Sequence, residues 1–355
     1  MADVERYIAA QVRAQTAYHV PPGEPLVKLD AMENPYSLPL ELRDRWLAAL
    51  RDVPLNRYPS TDHYARLKAR LAQDAGLPPG CEVVLGNGSD EILQNILLAL
   101  ASEVTVVAPT PTFVMYEHIA TLLRRPFVGV PLNANFTLDI KALQDALARH
   151  APAVLFLACP NNPTGILYSR AEVRALLEVE GALVVIDEAY QPFAQTTFMD
   201  EVARSSRVWV LRTFSKHGLA GLRFGWLAAD AMWTHELEKV RLPYNVGSLA
   251  LATVDFALDY ADVFAAQAAR IRALRAQLLA ALADVVTVWP SEANFVLFRP
   301  HAPKEAARIF QELKMQGIWI KNLSSHPGAL AGCLRVTVGT AWENQTFLAA
   351  LSRAL

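Results

Sequence analysis

Four clusters of residues in this 355-residue chain are of types that could share one chemistry. Lys216 closes the stretch Arg212-Thr213-Phe214-Ser215-Lys216, directly after the strand-like run Val208-Trp209-Val210-Leu211. Arg223 comes next, within Gly221-Leu222-Arg223-Phe224-Gly225-Trp226. A lysine amine condenses with an aldehyde only when deprotonated, so a lysine among hydroxyls with a fixed cation nearby is a candidate for carbonyl chemistry. The hydroxyls of Thr213 and Ser215 and the Arg223 guanidinium suit a phosphate. Taken singly, Lys216 is equally a solvated surface lysine and Arg223 one half of a salt bridge.

Three further segments carry matching groups. Asp187-Glu188-Ala189-Tyr190 ends an apolar run. An acid there either caps the segment after the strand or faces a heterocyclic nitrogen and keeps it protonated. Pro160-Asn161-Asn162-Pro163-Thr164-Gly165 forms a tight turn after another such run. Asn162 there can donate to a phenolate oxygen, and Tyr190 can reach the same atom. Leu85-Gly86-Asn87-Gly88-Ser89-Asp90-Glu91 passes through glycines from a strand into a helix. Unpaired N–H groups at such a start bind phosphate and Gly88 permits close approach, although Ser89 and Asp90 read equally well as ordinary caps. In this order the four features meet the demands of pyridoxal 5'-phosphate: an amine for its aldehyde, a phosphate cradle, and a carboxylate opposite its ring nitrogen.

The elements that must position these groups are legible as apolar runs. Glu82–Leu85, Val104–Val107, Val154–Leu157, Leu183–Ile186 and Val208–Leu211 alternate with helical patterns, and most are apolar throughout. That is the signature of strands covered on both faces, which predicts an α/β fold with a mainly parallel sheet and ligands at the carboxyl ends of its strands. After Pro243-Tyr244-Asn245 an Ala-rich helical stretch, about 248–283, precedes the strand candidates Asn294–Phe298, Gly317–Ile320 and Cys333–Val338, suggesting a separate α+β domain. The proline-punctuated N-terminus reads as an extended arm. The expected division is residues 1–30 as an arm on the small domain or on a partner subunit, 31–245 as a large cofactor-binding domain, and 246–355 as a smaller C-terminal domain.

Composition narrows the function. With 53% hydrophobic and 19% charged residues and a net charge of -2, the chain offers no electrostatic footprint for nucleic acid or an anionic membrane. Cys81, Cys159 and Cys333 are far apart and odd in number, which reads as buried free thiols, and the eight histidines show no metal-ligand spacing. His217 reads as packing or solvated, and Asp139 and Asp145 as capping and surface charge. The apolar stretch Ile92–Val107 is too interrupted to span a membrane. No signal peptide is read at the N-terminus, so a soluble cytoplasmic protein is expected.

Asn-Asn-Pro-Thr-Gly, Asp-Glu-Ala-Tyr, Thr-Phe-Ser-Lys and Gly-Leu-Arg-Phe-Gly together resemble the fold-type I pyridoxal-phosphate-dependent aminotransferases over nearly the whole chain. Leu29–Pro35, Asn56-Arg57-Tyr58-Pro59 and Cys333–Thr340 resemble the histidinol-phosphate branch of that family. The resemblance implies a seven-stranded-type sheet sandwiched by helices, a homodimer with shared active sites, and an amine donor paired with 2-oxoglutarate and glutamate. It implies that Lys216, Asp187 and Tyr190 are catalytic and that Gly88, Ser89, Asp90, Phe113, Asn162, Thr213, Ser215 and Arg223 join them in holding the cofactor. It further places Tyr58 across the dimer interface on the partner's cofactor phosphate, Phe113 on the ring, and Arg335, Asn34, Tyr18, Tyr244, Asn245 and Lys321 around the substrate. Phe113 stands where many relatives carry tyrosine, and Lys321 where many carry arginine. An aromatic amino acid aminotransferase and a threonine-phosphate decarboxylase are the alternatives within this chemistry, and a non-catalytic binding protein on the same scaffold is the alternative outside it.

Overall fold

The computed structural model describes residues 4–17 and 26–355, so Tyr18 lies outside the described residues. Among them, thirteen strands occur in chain order: β1 (Val27–Lys28), β2 (Cys81–Gly86), β3 (Thr105–Thr110), β4 (Phe127–Pro131), β5 (Ala153–Ala158), β6 (Ala182–Asp187), β7 (Val208–Thr213), β8 (Gly225–Asp230), β9 (Thr287–Val288), β10 (Phe295–Arg299), β11 (Ile318–Trp319), β12 (Lys321–Asn322) and β13 (Leu334–Thr337). Seven form one sheet in the order β2-β8-β7-β6-β5-β3-β4. β8 runs antiparallel to both of its neighbours, while the other pairings are parallel. Every residue of β5 is buried, as its unbroken apolar run requires. Helices cover both faces, with apolar clusters of buried side chains above and below the sheet.

The sheet order makes one edge chemically rich. Gly86, Ala158, Asp187 and Thr213 close their strands there, and the reversed β8 brings its first residue, Gly225, to the same edge, in register with both Gly86 and Thr213. β4 and β8 fall outside the predicted runs. Gly225-Trp226-Leu227-Ala228-Ala229-Asp230 lacks β-branched residues, so only its place between β2 and β7 makes it a strand.

A second, four-stranded antiparallel sheet has the order β12-β13-β10-β9. The predicted single helix over about 248–283 is two helices, Ser248–Asp259 and Ala261–Ala283, broken at Tyr260, whose φ and ψ of -118° and 35° leave the helical region. The Tyr260 ring packs 4.6 Å from Phe256. Leu251, Val254 and Ala257 of the first of these helices are buried in the same cluster as the large sheet. Ile271, Leu278 and Leu282 of the second join the core of the four-stranded sheet. The predicted strand Gly317–Ile320 shortens to β11, which pairs in parallel with β1 instead of joining that sheet. Val27 and Leu29 are thereby buried among C-terminal residues. The arm, expected to be extended, also holds two helical turns, Val4–Tyr7 and Ala10–Arg13.

Candidate active site

Lys216 sits immediately after β7 in a wide helical turn, Ser215–Leu219, closed by Gly218 at φ 113°. A side chain at Gly218 would meet Asn34 Nδ2 at 3.1 Å, so the turn needs glycine both for its dihedral and for space. Lys216 Nζ donates to Ala31 O at 3.2 Å and lies 5.8 Å from the centre of the Tyr190 ring. Burial pushes this amine down to about 8, and the Arg335 guanidinium acts in the same direction. The neighbouring His217 faces away, its Nδ1 3.1 Å from Thr213 O, and burial pushes it down to about 4.

Asp187 is 4% exposed at the end of β6. One carboxylate oxygen accepts from Ala189 N at 3.0 Å and the other from Tyr116 OH at 2.8 Å. Burial pushes its carboxyl up to about 6, opposed by the Tyr116 hydrogen bond. Asp187 thus holds the local turn through Ala189 N without capping the helix Gln191–Ala194, which has no side-chain cap, and the carboxylate also borders a cavity. Asn162 Nδ2 donates to Tyr190 OH at 3.1 Å, Tyr190 donates to Met32 Sδ at 3.1 Å, and Arg335 Nη1 donates to Asn162 Oδ1 at 2.5 Å. Arg335 Nη2 also donates to Asp30 O at 3.1 Å. These contacts form a continuous polar chain from the four-stranded sheet to the carboxyl edge of the large sheet.

At the other end, the helix Ser89–Ala99 starts from Gly88 at φ 85° with no side chain capping it, so neither Ser89 nor Asp90 is the ordinary cap. Asp90 instead accepts from Arg223 Nη2 at 3.1 Å, and Arg223 Nη1 lies 3.4 Å from Ser215 Oγ. Thr213 Oγ1 is 2.9 Å from Ser215 Oγ. A Cβ on Gly88 would stand 2.7 Å from Arg223 Nη2, and one on Gly225 2.6 Å from Ser89 N. First-turn N–H groups, two hydroxyls and a guanidinium are thus gathered where any added side chain would intrude, the arrangement that anions occupy.

One cavity of about 110 Å³ brings together Ser89, Asp90, Phe113, Asn162, Asp187, Tyr190, Thr213, Ser215, Lys216 and Arg223, with Met32, Ala158 and Ala189 completing its wall. A larger cavity of about 350 Å³ lies beyond His217, between Phe214, Trp226 and Phe264, and includes none of these chemical groups. The residue set of the smaller one fits pyridoxal phosphate: an acid at one end, an anion cradle at the other, an amine and an aromatic face between. Phe113 stands edge-on to Tyr116 at 5.5 Å.

The remaining predicted residues lie elsewhere. Arg335 touches the cavity through Asn162, and Lys321 is its cross-strand partner, so two cations share one face of the β12–β13 pair. Asn34 Nδ2 donates to His217 O at 3.0 Å and to Gln267 Oε1 at 2.9 Å, which ties the lysine turn to a helix. Asn245 is likewise engaged with Leu85 O, Glu91 and Arg241. Tyr58 and Tyr244 stack on each other at 4.3 Å on the surface, 75% and 50% exposed. Sequence reasoning missed Tyr116 and Met32; the first reads as a core aromatic and the second lies inside Leu29–Pro35, where nothing marks it.

Of the three thiols, Cys159 and Cys333 are buried, but Cys81 is only half-buried because it opens β2 at the margin of the sheet. Asp139 caps the helix Ile140–Arg149 and Asp145 pairs with Lys141 on the surface. Among the described residues no helix is long and apolar enough to cross a membrane, and no group of three or more His, Cys, Asp or Glu is placed to hold a metal.

The family model described as aminotransferase class I and II matches residues 24–351. A curated protein of Nitrosococcus oceani, named histidinol-phosphate aminotransferase 2, is 49% identical over 352 residues, covering 98% of this chain and 97% of that protein. The histidinol-phosphate aminotransferase of Chromobacterium violaceum is 48% identical, covering 99% and 98%. Among solved structures, histidinol-phosphate aminotransferase from Sinorhizobium meliloti in complex with pyridoxal-5'-phosphate has a TM-score of 0.85 at 23% identity, covering 98% of this chain and 97% of that one, a likeness of fold.

Proposed function

The chain belongs to the class I and II aminotransferases, and from that premise we infer that it moves the amino group of histidinol phosphate to 2-oxoglutarate, giving imidazole acetol phosphate and glutamate. The observation that carries the chemistry is the single cavity holding Lys216, Asp187 and the Ser89–Arg223 cradle. Pyridoxal phosphate, when bound, supplies an aldehyde that takes up the substrate amine and a ring that accepts electrons from the substrate's α-carbon. Lys216 is the side chain to hold its aldehyde carbon, Asp187 its ring nitrogen, Asn162 and Tyr190 its phenolate oxygen, and Ser89, Ser215, Thr213 and Arg223 its phosphate. Phe113, which lines the same cavity, would cover the ring.

Lys216 has a second task once its amine is free: to take the proton from the substrate's α-carbon and deliver it two atoms away, across the nitrogen, at the carbon that was the cofactor's aldehyde. In the cofactor-free pocket burial holds this amine at about 8, so about one in ten is neutral and ready to condense at pH 7, against fewer than one in a thousand for an ordinary lysine. The substrate side rests on Arg335 and Lys321. Histidinol phosphate has no α-carboxylate whereas 2-oxoglutarate has two carboxylates, so one site must bind a phosphate and a carboxylate in turn. Arg335 serves either with a planar fork, and Lys321 adds a point charge suited to the more highly charged phosphate.

A homodimer with shared sites is part of the reading. Tyr58, Tyr244, Leu55 and Leu242 are all at least half exposed, which offers apolar surface for a second copy, and the Tyr58 hydroxyl, on a ring stacked against Tyr244, is the group that would meet the other chain's phosphate cradle. We place the enzyme in the cytoplasm and its small domain at residues 246–355, whose long helix carries Ile271, Leu278 and Leu282 into the core of the four-stranded sheet. Following cofactor absorbance while histidinol phosphate, phenylalanine and threonine phosphate are added one at a time tests cofactor and donor together. The expected result is complete conversion at the lowest concentration by histidinol phosphate. A preference for phenylalanine, or loss of carbon dioxide from threonine phosphate, would replace the assignment.

A further inference from the structure

Tyr116 is 1% exposed, and its ring is fixed by stacking on Phe156 at 5.1 Å and by the Phe113 edge contact at 5.5 Å. Its hydroxyl therefore points in one direction, and Asp187 Oδ2 lies there at 2.8 Å. Among the described residues Tyr116 is the only side chain donating to that carboxylate; the other donor is the Ala189 backbone N–H. We propose that Tyr116 is the positioning residue for Asp187: its phenol holds the carboxylate ionised and fixed in rotation, so that the free lone pairs face a cationic ring nitrogen. This rests on the aminotransferase reading above and names a residue that the reading does not require.

The charged neighbours give Asp187 no comparable help. Asp90, from the helix across the cavity, and Glu188, next to it in the chain, both push its carboxyl up. Their charges are committed elsewhere, Asp90 to Arg223 at 3.1 Å and Glu188 to Arg212 at 2.9 Å. Lys216 and Tyr190 face the same cavity but are not hydrogen-bonded to Asp187. Burial drives the carboxyl toward its neutral form, and the phenol is the side chain that opposes it. A protonated Asp187 would present no charge to a pyridinium.

The test uses 4'-deoxypyridoxine 5'-phosphate, which lacks the aldehyde, so that Lys216 chemistry does not enter. Its dissociation constant is measured by fluorescence quenching from pH 5.5 to 8.5 on the wild-type protein and on Tyr116→Phe, which keeps the ring and its stacking. A hydrogen bond onto a charged group moves an equilibrium by roughly ten- to a hundredfold, so the variant's loss of affinity on acidification should set in about one to two pH units higher. At pH 7 it should bind about two- to tenfold more weakly, with the two proteins converging toward pH 8.5. A loss that is uniform across pH, or none, overturns the proposal and leaves Tyr116 a packing residue. Should Tyr116→Phe not fold, 3-fluorotyrosine at position 116, a stronger donor, must move the acid limb downward; an unmoved limb also overturns it. If the wild-type protein itself fails to bind the probe, it is the cofactor assignment that falls.

Discussion

Replacing Lys321 by methionine separates two consequences of one piece of geometry. Lys321 and Arg335 are directly opposite each other on β12 and β13. Like charges in that relation destabilise a sheet by roughly 0.2–1 kcal/mol, and because Lys321 is exposed, screening sets the figure at about 0.2–0.5 kcal/mol. Although the residue as a whole is exposed, partial burial of its amine, followed by the charge of Arg335, holds Lys321 below its ordinary value. The folded state thus binds this proton less tightly than the unfolded chain, and stability gains a rising component as pH climbs through the folded pKa toward the unfolded one. Lys321→Met should remove that component. The cofactor-free variant is expected to be more stable than the parent in low-salt urea unfolding at pH 7, with the gain shrinking in added salt. The same substitution removes one of the two cations available to a phosphate. A loss of about 1 kcal/mol, close to fivefold in KM, is expected for histidinol phosphate. The KM for phenylalanine, whose single carboxylate the Arg335 fork can satisfy alone, should change less than twofold. A variant less stable than the parent at low salt, or one with an unchanged KM for histidinol phosphate, would refute the reasoning.

Lys216→Ala should abolish turnover while retaining cofactor within about tenfold of the parent's affinity, because the phosphate cradle is untouched; equilibrium dialysis and borohydride labelling of position 216 check both halves. Burial raises Asp187 from 3.8 to about 6, so cofactor-free protein should lose stability as pH rises between those values, and Asp187→Asn should be flat there. At pH 7 that variant should be more stable by up to about 3 kcal/mol in urea titrations, yet at least about a hundredfold slower in turnover. Gly225→Ala forces a methyl group against the backbone of Gly88 and Ser89, and about 1–3 kcal/mol of stability together with at least tenfold in cofactor affinity should be lost, read by melting and dialysis.

What the sequence made legible was whatever is local. Asp187, Asn162, Lys216 and Ser89 each come soon after a strand run, so a strand plus its next turn fixes both their type and their position. What it hid was pairing across distance. Nothing near residue 116 indicates that its hydroxyl serves a carboxylate 71 positions away, and nothing near residue 34 indicates that its amide is spent on the lysine turn. The break at Tyr260 carries neither glycine nor proline, so the Ala-rich pattern runs through it. β8 was invisible for a related reason: its small residues suit a strand only because both neighbours are already there.

The reversed direction of β8 has a mechanical consequence. Lys216 rides on a connection whose two feet, Thr213 and Gly225, are stitched side by side in the sheet. The lysine is therefore carried on a connection anchored at both feet in neighbouring strands, and its own turn is tied down again where Asn34 donates to His217 O. An amine anchored in this way favours encounter with a carbonyl brought into the same cavity, because orientation is set before the partner arrives.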